Sequence, residues 1–228
     1  LDLQGYLKQK AKFKAEMKQP RQICWTCRQA GFGCFCEFVK PFDSKIHFVI
    51  LIHPIEVKRR IATGRMAHLC LKNSTLIEGT EFSDNDKVSE IISAKENHCV
   101  ILYPGRHSVN LSTLTGRDRS KLIPVGKKLV IFVIDGTWNT SGRMIRSDRL
   151  RDLPTISFNS NNLSRFRVRK QPAPECLSTI EAIHQTIDLL RTENGAGVPE
   201  REHDNLLTVF DQMVEFQLRF TEPRQGAG

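Results

Sequence analysis

The sequence predicts an α/β protein with a mostly parallel sheet and flanking helices. Three observations carry that expectation. Residues 46–52, 99–103 and 129–134 are continuous apolar runs rich in β-branched residues, the pattern of strands buried on both faces. Stretches of helical periodicity separate them, and strands alternating with helices make a parallel sheet. Each run also ends in a polar turn bearing Gly or Pro, where open α/β sheets place their ligands.

In chain order, residues 1–22 read as a lysine-rich helix leading into a cysteine cluster at 24–36. After the first strand come helices over about 55–72 and 84–96, the second with Ser83 or Asp84 as N-cap. The strand at 99–103 follows, then that at 129–134, a helix over about 138–151 and a weaker strand at 153–158. Ser178-Thr179-Ile180-Glu181 reads as a capping box opening a helix whose Ile180, Ile183, Ile187 and Leu190 make one core stripe. Residues 195–199 break that helix. A last amphipathic helix turns Leu206, Phe210, Met213, Val214 and Phe220 toward the body. This organisation divides the chain at about residue 40, into a basic N-terminal segment with its cysteine cluster (1–40) and an α/β domain (41–228).

The 228 residues are 39% hydrophobic and 26% charged, an ordinary globular composition, and no apolar run reaches the roughly 18 residues a membrane span needs. The net charge of +9 is unevenly spread. Residues 140–170 hold eight cations (Arg143, Arg146, Arg149, Arg151, Arg165, Arg167, Arg169 and Lys170) against Asp148 and Asp152. The first 22 residues add Lys8, Lys10, Lys12, Lys14, Lys18 and Arg21 against two acids, whereas residues 193–228 are acidic. Such patches suit a polyanion, or a solvated surface with Arg paired to Asp148 and Asp152.

Cys24, Cys27, Cys34 and Cys36 are spaced C-x2-C-x6-C-x-C. Four thiolates in two close pairs can enclose a tetrahedral Zn2+, so they predict a structural zinc knuckle, with Gly31 and Gly33 permitting the turn and Trp25, Phe32 and Phe35 shielding the sulfurs. A disulfide between Cys34 and Cys36 would be strained, and no secretory signal precedes them, which argues for a cytoplasmic protein. A CxxC redox pair is the competing reading. Cys70, Cys99 and Cys176 read as small buried hydrophobes.

The strand-end turns are His53-Pro54, Tyr103-Pro104-Gly105 and Asp135-Gly136-Thr137-Trp138. None is a dinucleotide fingerprint or a Walker loop. Asp135, directly after a buried strand, is the expected proton acceptor, since low-dielectric surroundings disfavour its charged form. The same carboxylate is placed to cap the helix that follows. Trp138 offers a flat face for a base. His53, His98 and His107 are not spaced as metal ligands.

The blocks Cys24-x2-Cys27-x6-Cys34-x-Cys36, His53-Pro54 with Thr63-Gly64, Leu102-Tyr103-Pro104-Gly105, Asp135-Gly136-Thr137-Trp138 and Ser178-Thr179-Ile180-Glu181-Ala182 together resemble the DTW-domain family, over about residues 22–191. The resemblance implies a fold like that of the SPOUT methyltransferases, with their knot. It implies tRNA-uridine aminocarboxypropyltransferase activity: transfer of the 3-amino-3-carboxypropyl group of S-adenosylmethionine to N3 of uridine, in the variable loop or D-loop, releasing methylthioadenosine. Asp135 would take the N3 proton. The co-substrate would be held by Thr63 and Gly64, by Tyr103 and Pro104, by Ile134, Thr137 and Trp138, by Ile156 and Ser157, and by Leu177, Ser178 and Thr179. Arg143 and Arg146, at helical spacing, and Arg165, Arg167 and Arg169, alternating along an extended stretch, would contact tRNA. A SPOUT-like methyltransferase and a non-catalytic zinc-dependent RNA-binding module are the rival readings.

Overall fold

The three apolar runs form the middle of one parallel sheet. A computed structural model describes residues 22–59, 61–160, 163–168, 176–190 and 201–219. Its strands are β1 (His47–Ile52), β2 (Ser74–Glu78), β3 (Asn97–Leu102), β4 (Val109–Asn110), β5 (Lys128–Asp135) and β6 (Thr155–Ser157), in the order β2-β1-β5-β3-β6-β4 with every pairing parallel. The helices are α1 (Pro54–Val57), α2 (Thr63–Cys70), α3 (Asp86–Ser93), α4 (Gly116–Ser120), α5 (Trp138–Met144), α6 (Thr179–Leu190) and α7 (Asp204–Leu218). The expected helix over 1–22 and the break at 195–199 lie outside the described residues, as does Phe220.

Side-chain alternation explains why the central strands are apolar throughout. Phe48, Ile50, Ile131 and Val133 face one core, built with Met66 and Ala67 of α2, Ile180, Ile183 and Ile187 of α6, and Leu206, Phe210 and Met213 of α7. Val49, Leu51, Val130 and Phe132 face a second core with Phe82, Val88 of α3 and Met144 of α5. Each such buried side chain contributes about 1.5–3 kcal/mol, so both faces of the central strands read as apolar. Among the described residues no helix is long and apolar enough to cross a membrane.

Several expected boundaries move. The helix over 55–72 is two helices: His53 Nδ1 accepts the Ile55 N–H to start α1, which closes at Lys58, and Ala62 is extended before α2. Asn85, rather than Ser83 or Asp84, caps α3 through the Val88 N–H, because the Ser83 hydroxyl donates to Glu81 instead. α5 stops at Met144, short of 151. Beyond it, tertiary contacts take over: Ser147 Oγ accepts the Phe82 N–H, and Ser83 Oγ accepts the Asp148 N–H. Half of the capping box forms as expected, with Glu181 accepting from the Ser178 N–H at 2.8 Å, while the Ser178 hydroxyl donates to the same carboxylate.

Candidate functional site

Asp135 ends the central strand on the face of Ile131 and Val133, so its side chain meets the N-termini of α2 and α6, which cover that face. Gly64 N–H of α2 donates to Oδ2 at 3.0 Å, Thr179 Oγ1 of α6 donates to Oδ1 at 2.6 Å, and Thr63 Oγ1 stands 3.5 Å from Oδ1. A Cβ on Gly64 would lie 2.5 Å from Oδ2, so only glycine allows this approach. Ala62 gives α2 no side-chain cap, and Asp135 supplies one from the end of β5. The following helix has its own cap, Thr137 Oγ1, which accepts the Thr140 N–H at 3.2 Å. Asp135 is therefore a cap, but of α2 rather than α5. Gly64, Thr179 and Thr63 hold the carboxylate in a fixed orientation.

This carboxylate lies in the wall of a cleft of about 740 Å3 at the carboxyl ends of β3, β5 and β6. Thr63, Tyr103, Pro104, Ile134, Thr137, Trp138, Ser157, Leu177, Ser178 and Thr179 all line it, so the turns after β3, β5 and β6 and the capping box converge on one chamber, whereas the His53-Pro54 turn does not line it. Gly64 does not line it and acts through Asp135. Ile156 does not line it either: alternation along β6 turns its side chain into the core, leaving Ser157 at the cleft. Trp138 remains 50% exposed, an open aromatic wall. Asn139, Phe158, Asn159 and Phe166 also line the cleft, as does Cys176, which is not the core residue expected. Asn139, Phe158 and Asn159 directly follow identified turns, and extending each turn by one or two residues would have found them.

One buried carboxylate clasps two walls of this chamber. Glu181 accepts from the Ser178 N–H and hydroxyl and also from Ser164 Oγ at 2.9 Å and the Arg165 N–H at 2.7 Å. Residues 163–168 are consequently a pinned turn rather than the extended stretch expected. Phe166 goes inward, while Arg165 pairs with Asp211 of α7 at 2.7 Å and Arg167 with Glu215. Both arginines thus meet carboxylates, and Arg169 lies outside the described residues. Arg143, Arg146 and Arg149 are exposed, with no carboxylate within 4 Å among the described residues, whereas Arg151 takes up Asp148 and Asp152.

The four cysteines of the N-terminal segment also converge. Cys24 Sγ and Cys36 Sγ are 3.7 Å apart, as are Cys27 Sγ and Cys34 Sγ, and all four sulfurs lie within 4.8 Å of one another. Zinc–sulfur bonds of about 2.3 Å demand tetrahedral edges of about 3.8 Å, so the donor set fits Zn2+. The Cys27 and then the Thr26 backbone N–H pull the Cys24 pKa down to about 6, while burial, helped by the Cys24 and Cys34 thiols, leaves that of Cys27 raised against the lowering pull of the Gln29 and Phe35 backbone. Burial likewise raises that of Cys36, ahead of its thiol neighbours. Thiols packed this closely can ionise together around a cation. Phe35 is buried beside them, but Trp25 and Phe32 are 96% and 67% exposed and do not shield the sulfurs. The knuckle is fastened to α7: Asn205 donates to the Phe38 carbonyl and accepts the Lys40 N–H, both at 2.9 Å, and Gly33 lies against the Phe216 ring.

The DTW domain model matches residues 21–218. Over 209 residues the chain is 27% identical to mouse and 25% identical to crab-eating macaque tRNA-uridine aminocarboxypropyltransferase 2, covering 90% of this chain and 66% of each relative. It is 27% identical over 187 residues to the Drosophila protein of that name, 78% of this chain and 70% of the relative. The chain therefore spans just under two thirds of the length of the two mammalian relatives. No solved structure matches it. With its D-x-T-W turn at Asp135–Trp138, its cleft and a match across most of its length, the chain belongs to the DTW-domain family.

Proposed function

We propose that this chain transfers the 3-amino-3-carboxypropyl group of S-adenosylmethionine to N3 of a tRNA uridine and releases methylthioadenosine. The observation that carries the reading is the oriented Asp135 carboxylate in the wall of a chamber large enough for a nucleoside-sized co-substrate. The names of the relatives supply the reaction and the tRNA substrate. Trp138, with Tyr103 and Pro104, forms the wall on which an adenine or uracil stacks, and Thr137, Ser157 and Ser178 offer hydroxyls to its polar edges. A neutral imide nitrogen is a poor nucleophile, so Asp135 takes the N3 proton as nitrogen attacks the γ-carbon; the carbon–sulfur bond breaks and its electron pair neutralises the sulfonium. The hydroxyl of Thr179 is positioned to release Oδ1 for that proton. Choice of the propyl over the methyl carbon is a matter of positioning. The uridine must be unpaired, since pairing engages N3. Cys24, Cys27, Cys34 and Cys36 would hold one structural Zn2+, which would fix the knuckle's fold, and Arg143 and Arg146 contact the tRNA backbone.

Incubation with unmodified tRNA and S-adenosylmethionine tests the reading through the by-product. Methylthioadenosine is expected. S-adenosylhomocysteine would make the protein a methyltransferase, and no by-product would leave an RNA-binding module.

A further inference from the structure

Arg65 follows Gly64, the residue that holds Asp135, and it is an arginine without an anion. It is 8% exposed, yet among the described residues no carboxylate pairs with its guanidinium and no acceptor bonds it. Other partly enclosed arginines are satisfied. Arg59 pairs with Glu56, and Arg119 donates to the Leu111 and Leu189 carbonyls. The Arg65 nitrogens are not among the polar atoms sealed from solvent, so the stem is enclosed while the head reaches water. Burial, then the like charge of Arg28, lowers its pKa; Glu78, Asp135 and Cys27 oppose this only from beyond ion-pair distance. Among the described residues no anion stands within ion-pair distance of its guanidinium.

We propose that Arg65, together with Arg28 of the knuckle, binds a backbone phosphate of the tRNA whose uridine enters the cleft. This rests on the tRNA reading above. Arg65 is not among the residues lining the 740 Å3 chamber, which separates it from a small co-substrate held there. It lies near the knuckle, whose Arg28 and Cys27 act on its charge, and there Arg28 and Trp25 are exposed. Cations with an exposed tryptophan on the same segment suit an RNA strand's phosphates and unpaired bases. A guanidinium fork matches a phosphate through two parallel hydrogen bonds.

The test is equilibrium binding of an unmodified tRNA transcript across a salt series, with S-adenosylmethionine binding and zinc content measured on the same preparations. Arg65→Gln should weaken tRNA binding about tenfold and lower the salt slope by about one, leaving S-adenosylmethionine affinity and zinc unchanged. Unchanged tRNA affinity overturns the proposal. Loss of S-adenosylmethionine affinity alone would make Arg65 a carboxylate ligand, and loss of zinc would make it a counter-ion of the thiolates; either overturns it too. If the glutamine variant does not fold, Arg65→Lys decides: a several-fold loss with an unchanged slope supports the fork, and wild-type affinity refutes it. Because binding is read without turnover, a wild-type protein that makes no product sinks the proposed activity without touching this assignment.

Discussion

Gly64 at the start of α2 and Asp135 at the end of β5 are in contact, the N–H of one 3.0 Å from Oδ2 of the other, with no room for a methyl group between them. Gly64→Ala should therefore displace the carboxylate although it adds no charge. We expect a stability loss of about 1–3 kcal/mol, the usual cost of overpacking, with a fall in turnover. Denaturant unfolding and a steady-state assay on one sample check both. Wild-type turnover would show that the carboxylate's position is immaterial.

Asp135→Asn keeps the shape and the acceptor for Gly64 but cannot take a proton. Turnover should drop by roughly a hundredfold or more while S-adenosylmethionine affinity stays near that of the wild type. Titration calorimetry beside product analysis separates the two effects. A variant as active as the parent would leave Asp135 as only the cap of α2.

Zinc analysis should give about one ion per chain. Strong chelators, or Cys27→Ser, should unfold the knuckle and loosen α7, because Phe38, Lys40 and Gly33 fasten one to the other. The melting temperature should fall together with metal content. Metal-free protein with unaltered melting would remove zinc from the account.

Acid should destabilise the fold earlier than carboxylates alone would. Burial depresses the pKa of His47 and of His68, with the Lys87 charge acting in the same direction, and burial does so at His203 despite its bond to Asp188. Below about pH 6.5 the unfolded chain takes up these protons more readily than the folded one. Stability is thus full above that pH and falls as pH drops from 6.5 toward the lowered folded values. Melting temperatures between pH 7.5 and 5.5 measure the slope, which His203→Gln should flatten. An identical slope in that variant would acquit His203.

The arginines should divide into two groups. Arg143→Gln with Arg146→Gln should reduce the salt slope of tRNA binding by about two. Arg165→Ala and Arg167→Ala, which lose exposed pairs to Asp211 and Glu215 worth about 0–1 kcal/mol each, should change it less. Equal slopes for the two double variants would contradict the division.

What the sequence disclosed follows from where each signal resides. Buried strands β1, β3 and β5 announce themselves by continuous apolar runs, and the cysteine spacing and the D-x-T-W turn are local patterns. β2 and β4 escaped because they lie at the sheet's edges: Ser74-Thr75-Leu76-Ile77-Glu78 needs apolar residues on one side at most, and β4 has two residues. The state of Arg165 and Arg167 was hidden for another reason. Alternation with Phe166 was visible, but the carboxylates that meet them are about 46 and 48 residues away on α7, and the clasp that bends their segment is Glu181. Asp135 was found by its place after a strand, whereas its partners Gly64 and Thr179 lie 71 and 44 residues away and only the fold brings them to it.

The position of β5 bears on how the protein acquires its site. β5 comes after β1 and β3 in the chain yet lies between them, so those two strands cannot close against each other and must wait for a segment synthesised later. Every pairing is non-local and none is a hairpin, the topology that folds slowly. Asp135 is the last residue of that inserted strand, so the candidate site is completed only when the sheet itself closes. Half-folded chains then lack the assembled site, and under the proposed function recovery of activity on refolding should report closure of the whole sheet rather than of any part.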